Sequence, residues 1–181
     1  MVPNHTGLDS RWMAEKPDWF VSLPVPPYAN YTFEGPNLSG DPRIDVRLED
    51  GYWNESDAAV VFQRTDVATG AVSYVYHGND GTQMPWNDTA QLDFMNPELR
   101  EAIIEQIVAV ARRFPVIRFD AAMTLAKQHV QRLWYPPPGQ GGAVPSRSAH
   151  GMSKKAFEQA MPTEFWRDVV ERVAQEAPDT L

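Results

Sequence analysis

The sequence predicts a mixed α/β fold with parallel strands in its second half, and three observations lead to that prediction. Residues 7–96 are rich in Pro, Gly, Asn, Asp and Trp, and their apolar residues come in short runs without a helical period. A pattern typical of a helix start follows at Asn96. After that helix, residues 116–120 form a short β-branched and aromatic run, which is typical of a buried strand.

Composition and charge exclude several classes of partner. The chain has 181 residues, 43% of them apolar, which is enough for one sizeable core. The net charge of -8 would repel a phosphate backbone or an anionic membrane surface, and no apolar run reaches the ~18 residues of a membrane helix. We therefore expect neither a nucleic acid nor a membrane partner. Cysteine is absent, and the start of the chain has no secretion signal, so we expect a cytoplasmic rather than a secreted protein.

The first half of the chain is predicted to contain a small sheet. Residues 58–63 and 71–76 are β-branched and aromatic, and the intervening residues 65–70 supply the chemistry of a turn. These segments predict a β-hairpin.

The second half is predicted to be largely helical. Asn96 as N-cap, Pro97 at the first helical position and an acidic first turn predict a helix that runs to about Arg113. After the predicted strand 116–120 we expect a helix over 124–133, a loop over the breaker-rich 136–142, and helices over 153–161 and 163–177.

Arg118 and Asp120 are the most informative charged residues. Alternation along a strand places both on one face, while Ile117 and Phe119 occupy the other. A guanidinium beside the carboxylate would keep it ionised, as a nucleophile requires. A structural ion pair at a strand end is the alternative interpretation.

Three segments resemble the α-amylase family, glycoside hydrolase family 13, in the family's order. Val2-Pro-Asn-His-Thr-Gly7 is similar to the end of the third barrel strand, Gln91-Leu-Asp-Phe-Met-Asn-Pro-Glu-Leu-Arg100 to the stretch that leaves domain B, and Val116-Ile-Arg-Phe-Asp-Ala-Ala122 to the end of the fourth strand. The resemblance implies a partial (β/α)8 TIM barrel with an inserted β-rich domain B. Residues 1–9 would end the third strand, 10–95 would form domain B, and 96–181 would supply the third helix, fourth strand, long loop and fourth helix.

The same resemblance implies a role for each matching residue. Asp120 would be the nucleophile, Arg118 its charge partner, and His5 a hydrogen-bond donor to the sugar beside the scissile bond. Asn4 would brace the loop between the barrel and domain B. Aromatic rings can stack on the apolar face of a pyranose, and among the candidates we favour Trp134 and Tyr135 over Tyr52, Trp53 and Trp86.

The implied function is retaining cleavage of α-glucosidic linkages in glucans or oligosaccharides, without a cofactor. The mechanism needs a general acid roughly 5 Å from the nucleophile, and the family's Glu would follow Leu181. We therefore expect an internal piece of a longer barrel, inactive without the remainder. A glucan transglycosylase and a non-catalytic carbohydrate-binding relative are the alternatives, and an unrelated α/β domain is a third.

Two departures from the family pattern limit this expectation. The positions that match the calcium ligands of family members hold Gln91 and Thr124, so Asn4 lacks the charged partners that a hard cation requires, and we predict no metal there. Met123-Thr124 replaces the Lys-His pair that binds substrate in many α-amylases, which argues against starch endohydrolysis specifically.

Overall fold

The computed structural model describes residues 1–57, 59–81 and 86–180 of a mixed α/β chain. The chain divides into two compact units, which we call the terminal unit (Met1–Asn4 with Phe94–Leu181) and the central unit (His5–Asp93). The division lies close to the predicted limits of the inserted segment, but it assigns His5 and the residues after it to the central unit. Identification of these units with a barrel and a domain B stays a prediction.

The central unit is built on an antiparallel sheet, in which the described residues form six strands. Their order is β1-β6-β5-β4-β3, and β2 pairs with β5 outside this path. The strands are β1 (His5–Gly7), β2 (Ser22–Leu23), β3 (Ile44–Leu48), β4 (Val61–Asp66), β5 (Val72–Gly78) and β6 (Trp86–Gln91). In β3 every second residue is buried, as expected for a strand with one face on a core.

The predicted hairpin is confirmed as β4 and β5, which pair from Val61 opposite Tyr76 to Thr65 opposite Val72. Its turn is closed by Asp66, whose carboxylate accepts hydrogen bonds from the backbone N–H and the hydroxyl of Thr69, both at 2.8 Å. Gly70 follows with φ +71°, a conformation in which glycine carries no Cβ penalty. Ala58, the first residue of the predicted hairpin, lies outside the described residues.

Two short helices accompany the sheet, α1 (Trp12–Glu15) and α2 (Asp50–Trp53). The side chain of Arg64 on β4 ties α1 to the sheet, because its Nε donates to the carbonyl of Met13 at 2.6 Å while the residue is only 4% exposed.

The terminal unit contains four α-helices in its described part: α3 (Pro97–Ala111), α4 (Lys127–Trp134), α5 (Lys154–Ala160) and α6 (Phe165–Glu176). Two 3-10 helices, Ala122–Leu125 and Pro145–His150, accompany them. The predicted start of α3 is confirmed, since Oδ1 of Asn96 accepts from the N–H groups of Glu98 and Leu99 at 2.9 and 3.3 Å. α3 packs against α6 through a buried apolar stripe, and Arg172 pairs with Glu101 at 2.9 Å beside it. The helices predicted over 153–161 and 163–177 correspond to α5 and α6.

The predicted buried strand over residues 116–120 is wrong as a strand assignment. The segment is assigned to no strand, and Val116 is 66% exposed. Its backbone is nevertheless paired at one point, because the amino group of Met1 donates to the carbonyl of Arg118 at 2.7 Å and the N–H of Asp120 donates to the carbonyl of Met1 at 2.9 Å. Two such bonds to the residues that flank Phe119 form the pattern of a parallel pair. A single pair of bonds is too little for a regular strand.

The predicted helix over 124–133 forms as a 3-10 turn (Ala122–Leu125) followed by α4, and the breaker-rich segment after α4 is irregular, as predicted. No helix in the described ranges is long and apolar enough to cross a membrane.

Candidate active site

Asp120 stands at the end of the segment that pairs with Met1. The residue is exposed, and its carboxylate accepts one hydrogen bond at Oδ1 from the N–H of Ala121 at 2.9 Å. Ala121 has φ +53°, in the left-handed region, so the chain turns sharply directly after the carboxylate. The second oxygen, Oδ2, accepts no hydrogen bond from the described residues and is available to a ligand.

The alternation predicted for this segment is present in the burial of its side chains. Arg118 and Asp120 are exposed, whereas Ile117 and Phe119 are half-buried. Phe119 packs edge-on against Trp166 of α6, with ring centroids 4.9 Å apart. Arg118 and Asp120 therefore share the solvent-facing side, but within the described parts of the chain no ion pair joins them.

Asn4 is fully buried, at 0% exposure, three residues after the Met1 pairing point. A buried amide in this position suits a bracing residue better than one that contacts substrate directly. Its proposed bracing role stays a prediction.

His5 begins β1 in the central unit and is half-buried. Its ring meets that of Trp86 edge-on at 4.9 Å, and its Nδ1 finds no hydrogen-bond partner in the part of the chain that is described. Burial lowers the pKa of His5, while the negative charge of Asp88 opposes that change in part. The imidazole is therefore neutral at pH 7 and can hydrogen-bond an uncharged hydroxyl.

Trp134 and Tyr135, the favoured stacking residues, lie at the end of α4, and the structure corrects the expectation for Trp134. Its side chain is 3% exposed and lies in the interior of the terminal unit, where its large aromatic ring forms part of the core. Arg147 contacts both residues. Its Nε donates to the carbonyl of Trp134 at 3.0 Å, and its guanidinium lies 5.3 Å from the Tyr135 ring centre. Only Tyr135 of this pair, which is half-buried, retains accessible surface for a ligand.

Among the aromatic residues considered for stacking on a sugar, Tyr52 and Trp53 are exposed, at 36% and 45%. From the sequence, we favour Trp134 and Tyr135 over these two residues as sugar-stacking candidates. The signal that could have identified them is the surrounding stretch, Glu49-Asp-Gly-Tyr-Trp-Asn-Glu-Ser56, which is polar on both sides and so predicts a surface position.

The residues at the positions of the family's calcium ligands make hydrogen bonds within the protein. Gln91 is 2% exposed and donates from Nε2 to the carbonyl of Leu92 at 3.0 Å, while its Oε1 accepts from the N–H of Asn79 at 3.3 Å. Thr124 donates from its hydroxyl to the carbonyl of Ala121 at 2.8 Å. Among the described residues no three acidic or imidazole side chains are grouped as metal ligands.

One solved structure similar to this chain is described as a Family GH13_31 enzyme. The two share 17% sequence identity with a TM-score of 0.49, over 100% of this chain and 29% of the other. The chain thus spans less than a third of the length of that structure. No protein-family model matches the sequence, and no curated protein matches it.

Proposed function

We propose that this chain belongs to a retaining glycoside hydrolase of the α-amylase type that cleaves α-glucosidic linkages, with Asp120 as the nucleophile. The observation that carries the proposal is the parallel backbone pairing of Met1 with the residues on either side of Phe119. Met1, which directly precedes the first family-like segment, thereby lies beside the third segment in the parallel relation that neighbouring strands of a (β/α)8 barrel have. Catalytic residues of that fold lie where strands end, and Asp120 ends the extended segment that pairs with Met1.

The surroundings of Asp120 suit nucleophilic attack. One carboxylate oxygen is held by the N–H of Ala121, and the other is accessible to solvent, so the group is oriented without being covered. Arg118 is exposed on the same side of the segment.

The proposed reaction has two steps. Oδ2 of Asp120 attacks the anomeric carbon, the glycosidic C–O bond breaks, and the leaving oxygen takes a proton from a second carboxyl group about 5 Å away. Water then attacks the anomeric carbon of the covalent intermediate, its proton passes to that second group, and the carboxylate of Asp120 is released. In this proposal the neutral imidazole of His5 hydrogen-bonds a sugar hydroxyl, and Tyr135 offers a partial stacking surface. Asn4 braces the loop between the barrel and domain B.

Replacement of the carboxylate tests the proposal. In the full-length protein as its gene encodes it, Asp120→Asn should lower kcat for an aryl α-maltooligosaccharide by roughly 10⁴- to 10⁶-fold, the range seen when a catalytic nucleophile is removed. Asp179→Asn, which changes another exposed carboxylate of the terminal unit, is the matched control and should leave kcat unchanged.

Chemical rescue separates a nucleophile from a structural carboxylate. Asp120→Gly opens space beside the anomeric carbon, so added azide should restore turnover and give a β-glycosyl azide, because a single displacement inverts the centre. Absence of any turnover by the unaltered protein, or full activity of Asp120→Asn, would overturn the assignment.

A further inference from the structure

The central unit contains an open cleft of about 640 Å³. It is formed where the end of β1, the end of β3, the start of β6 and the short helix α2 meet, and all of its lining residues belong to this unit. Its volume lies in the range of ligand sites in proteins, about 300–1,000 Å³. The lining that matters for recognition consists of Tyr52, Trp53, Asp9, Asn87 and Asp88.

The aromatic part of the cleft is an exposed pair of rings. Tyr52 and Trp53 stand nearly perpendicular, with centroids 5.3 Å apart and 76° between their planes. Both side chains are large and apolar, and neither is covered by the unit's own core. Adjacent aromatic rings exposed in a concave surface are typical of a binding site.

Trp53 is held in position by the loop that precedes β3. The N–H groups of Glu34 and Gly35 donate to the carboxylate of Asp50, the first residue of α2, at 2.9–3.0 Å. Gly35 is thereby fixed against the indole, so closely that an added Cβ would lie 2.6 Å from Nε1 of Trp53. The ring is preorganised, which lowers the entropy cost of binding.

The polar part of the cleft consists of hydrogen-bond acceptors that have no partner among the described residues. Asp9 and Asp88 are exposed and take part in no ion pair with the described residues. Oδ1 of Asn87 is shielded from solvent and accepts no hydrogen bond from them. Acceptors of this kind, placed beside an apolar ring, match a ligand that carries hydroxyl donors on its rim and C–H groups on its face.

We propose that this cleft binds a neutral oligosaccharide, with a pyranose ring stacked on Trp53 and its hydroxyls donating to the exposed carboxylates of Asp9 and Asp88. An anionic ligand would be repelled by the two carboxylates. A purely apolar ligand would desolvate the two carboxylates without compensation. The sugar-binding property stands on the cleft alone, whereas the choice of an α-glucan rests on the proposed function.

Binding of maltoheptaose, measured by isothermal titration calorimetry on the full-length protein, tests the proposal. Trp53→Ala should weaken binding about tenfold, because an aromatic contact of this type contributes about 1.4 kcal/mol. Tyr28→Ala removes an aromatic residue of similar exposure that does not line the cleft, and it should leave the affinity unchanged.

A second pair of variants keeps the tryptophan and changes its support. Gly35→Ala should weaken binding, since the new methyl group displaces the indole, while Gly40→Ala should not, because its Cβ would meet nothing within 4 Å. Circular dichroism of all four variants checks that each is folded.

The outcomes separate this proposal from the assignment of Asp120. Loss of affinity in Trp53→Ala together with unaltered activity of Asp120→Asn would support the cleft and overturn the nucleophile. Equal affinity of Trp53→Ala and the unaltered protein for maltoheptaose would overturn the cleft, whatever Asp120 does. Binding of tetramethylammonium without binding of maltoheptaose would also overturn it, since the rings would then serve a cation.

Discussion

His77 lies in the interior of the central unit, where its ring stacks on Phe62 at 3.8 Å and its Nδ1 lies 3.0 Å from the carbonyl of Trp86. Burial lowers the pKa of His77 to about 4, and the neighbouring carbonyls and Asp88 oppose this only in part. The folded protein therefore carries a neutral imidazole at a pH where the unfolded chain binds a proton.

We expect the free energy of unfolding to decrease as the pH is lowered from 6.5, the ordinary pKa of histidine, to about 4, the pKa of His77 in the folded protein. The contribution of His77 to stability is complete above pH 6.5 and is lost as the pH falls through about 4. Between these two pH values the unfolded chain binds a proton that the folded protein does not. The loss between pH 7 and pH 4 amounts to about 3 kcal/mol. Urea unfolding at a series of pH values measures it.

Two variants test this expectation. His77→Gln removes the titrating imidazole, and His129→Gln on α4 is the control. His77→Gln should flatten the dependence of the unfolding free energy on pH, and His129→Gln should retain it. An unchanged slope in His77→Gln would contradict the expectation.

The residue scale also shows where sequence reasoning about the site fails. Trp134 and Trp53 are residues of the same type, and each lies next to a tyrosine and near helix-breaking residues. Trp134 is nevertheless 3% exposed and Trp53 45%. Whether a tryptophan fills a core or faces a ligand depends on which helix packs over it, and residue type alone does not contain that information. The assignment of Asp120 rests instead on the motif that its neighbours form, and it stays a prediction.

At the scale of elements, the start of α3 depends on interactions within a few residues. The Asn96 side chain accepts from two of the N–H groups that have no partner inside the helix, and Pro97 needs no donor of its own. We expect Asn96→Ala to lower the unfolding free energy by about 1 kcal/mol. Chemical denaturation followed by circular dichroism measures it.

Asn96→Ser is the control for this prediction, since a serine hydroxyl can accept the same hydrogen bonds and should retain most of the stability. Equal destabilisation by both variants would show that Asn96 acts through other contacts than capping.

The contrast between α3 and residues 116–120 explains which elements could be predicted. Helix α3 is specified by a cap, a proline and a local apolar stripe, so its start was predictable to the residue. A strand requires a partner elsewhere in the chain, and here the pairing is limited to Met1. The alternation of Arg118 and Asp120 with Ile117 and Phe119 was still correct, because an extended backbone alternates whether or not it is paired.

At the scale of the whole molecule, the apolar side chains form a core in each of the two units. Leu48 of β3 is 1% exposed in the central unit, and Leu99 of α3 is fully buried in the terminal unit. We expect Leu48→Ala and Leu99→Ala each to lower the unfolding free energy by about 2–5 kcal/mol, the sum of lost transfer energy and the cavity left behind. Thermal and urea unfolding of both variants measure the loss.

The controls are Val67→Ala and Val170→Ala, one from each unit, which truncate side chains that are 61% and 66% exposed. Each should change stability by less than about 0.5 kcal/mol. A Leu99→Ala effect as small as that of Val170→Ala would mean that α3 contributes little to the core.

The left-handed backbone conformation of Ala121 restricts which amino acids can replace this residue. A residue with a Cβ pays about 1–2 kcal/mol for that conformation, and branching at Cβ raises the penalty further. Lineages or laboratory libraries that drift at this position will accumulate glycine and asparagine and will lose valine and isoleucine. This conformational cost lies next to Asp120, so under the proposed function selection for stability and selection for catalysis would act on neighbouring residues.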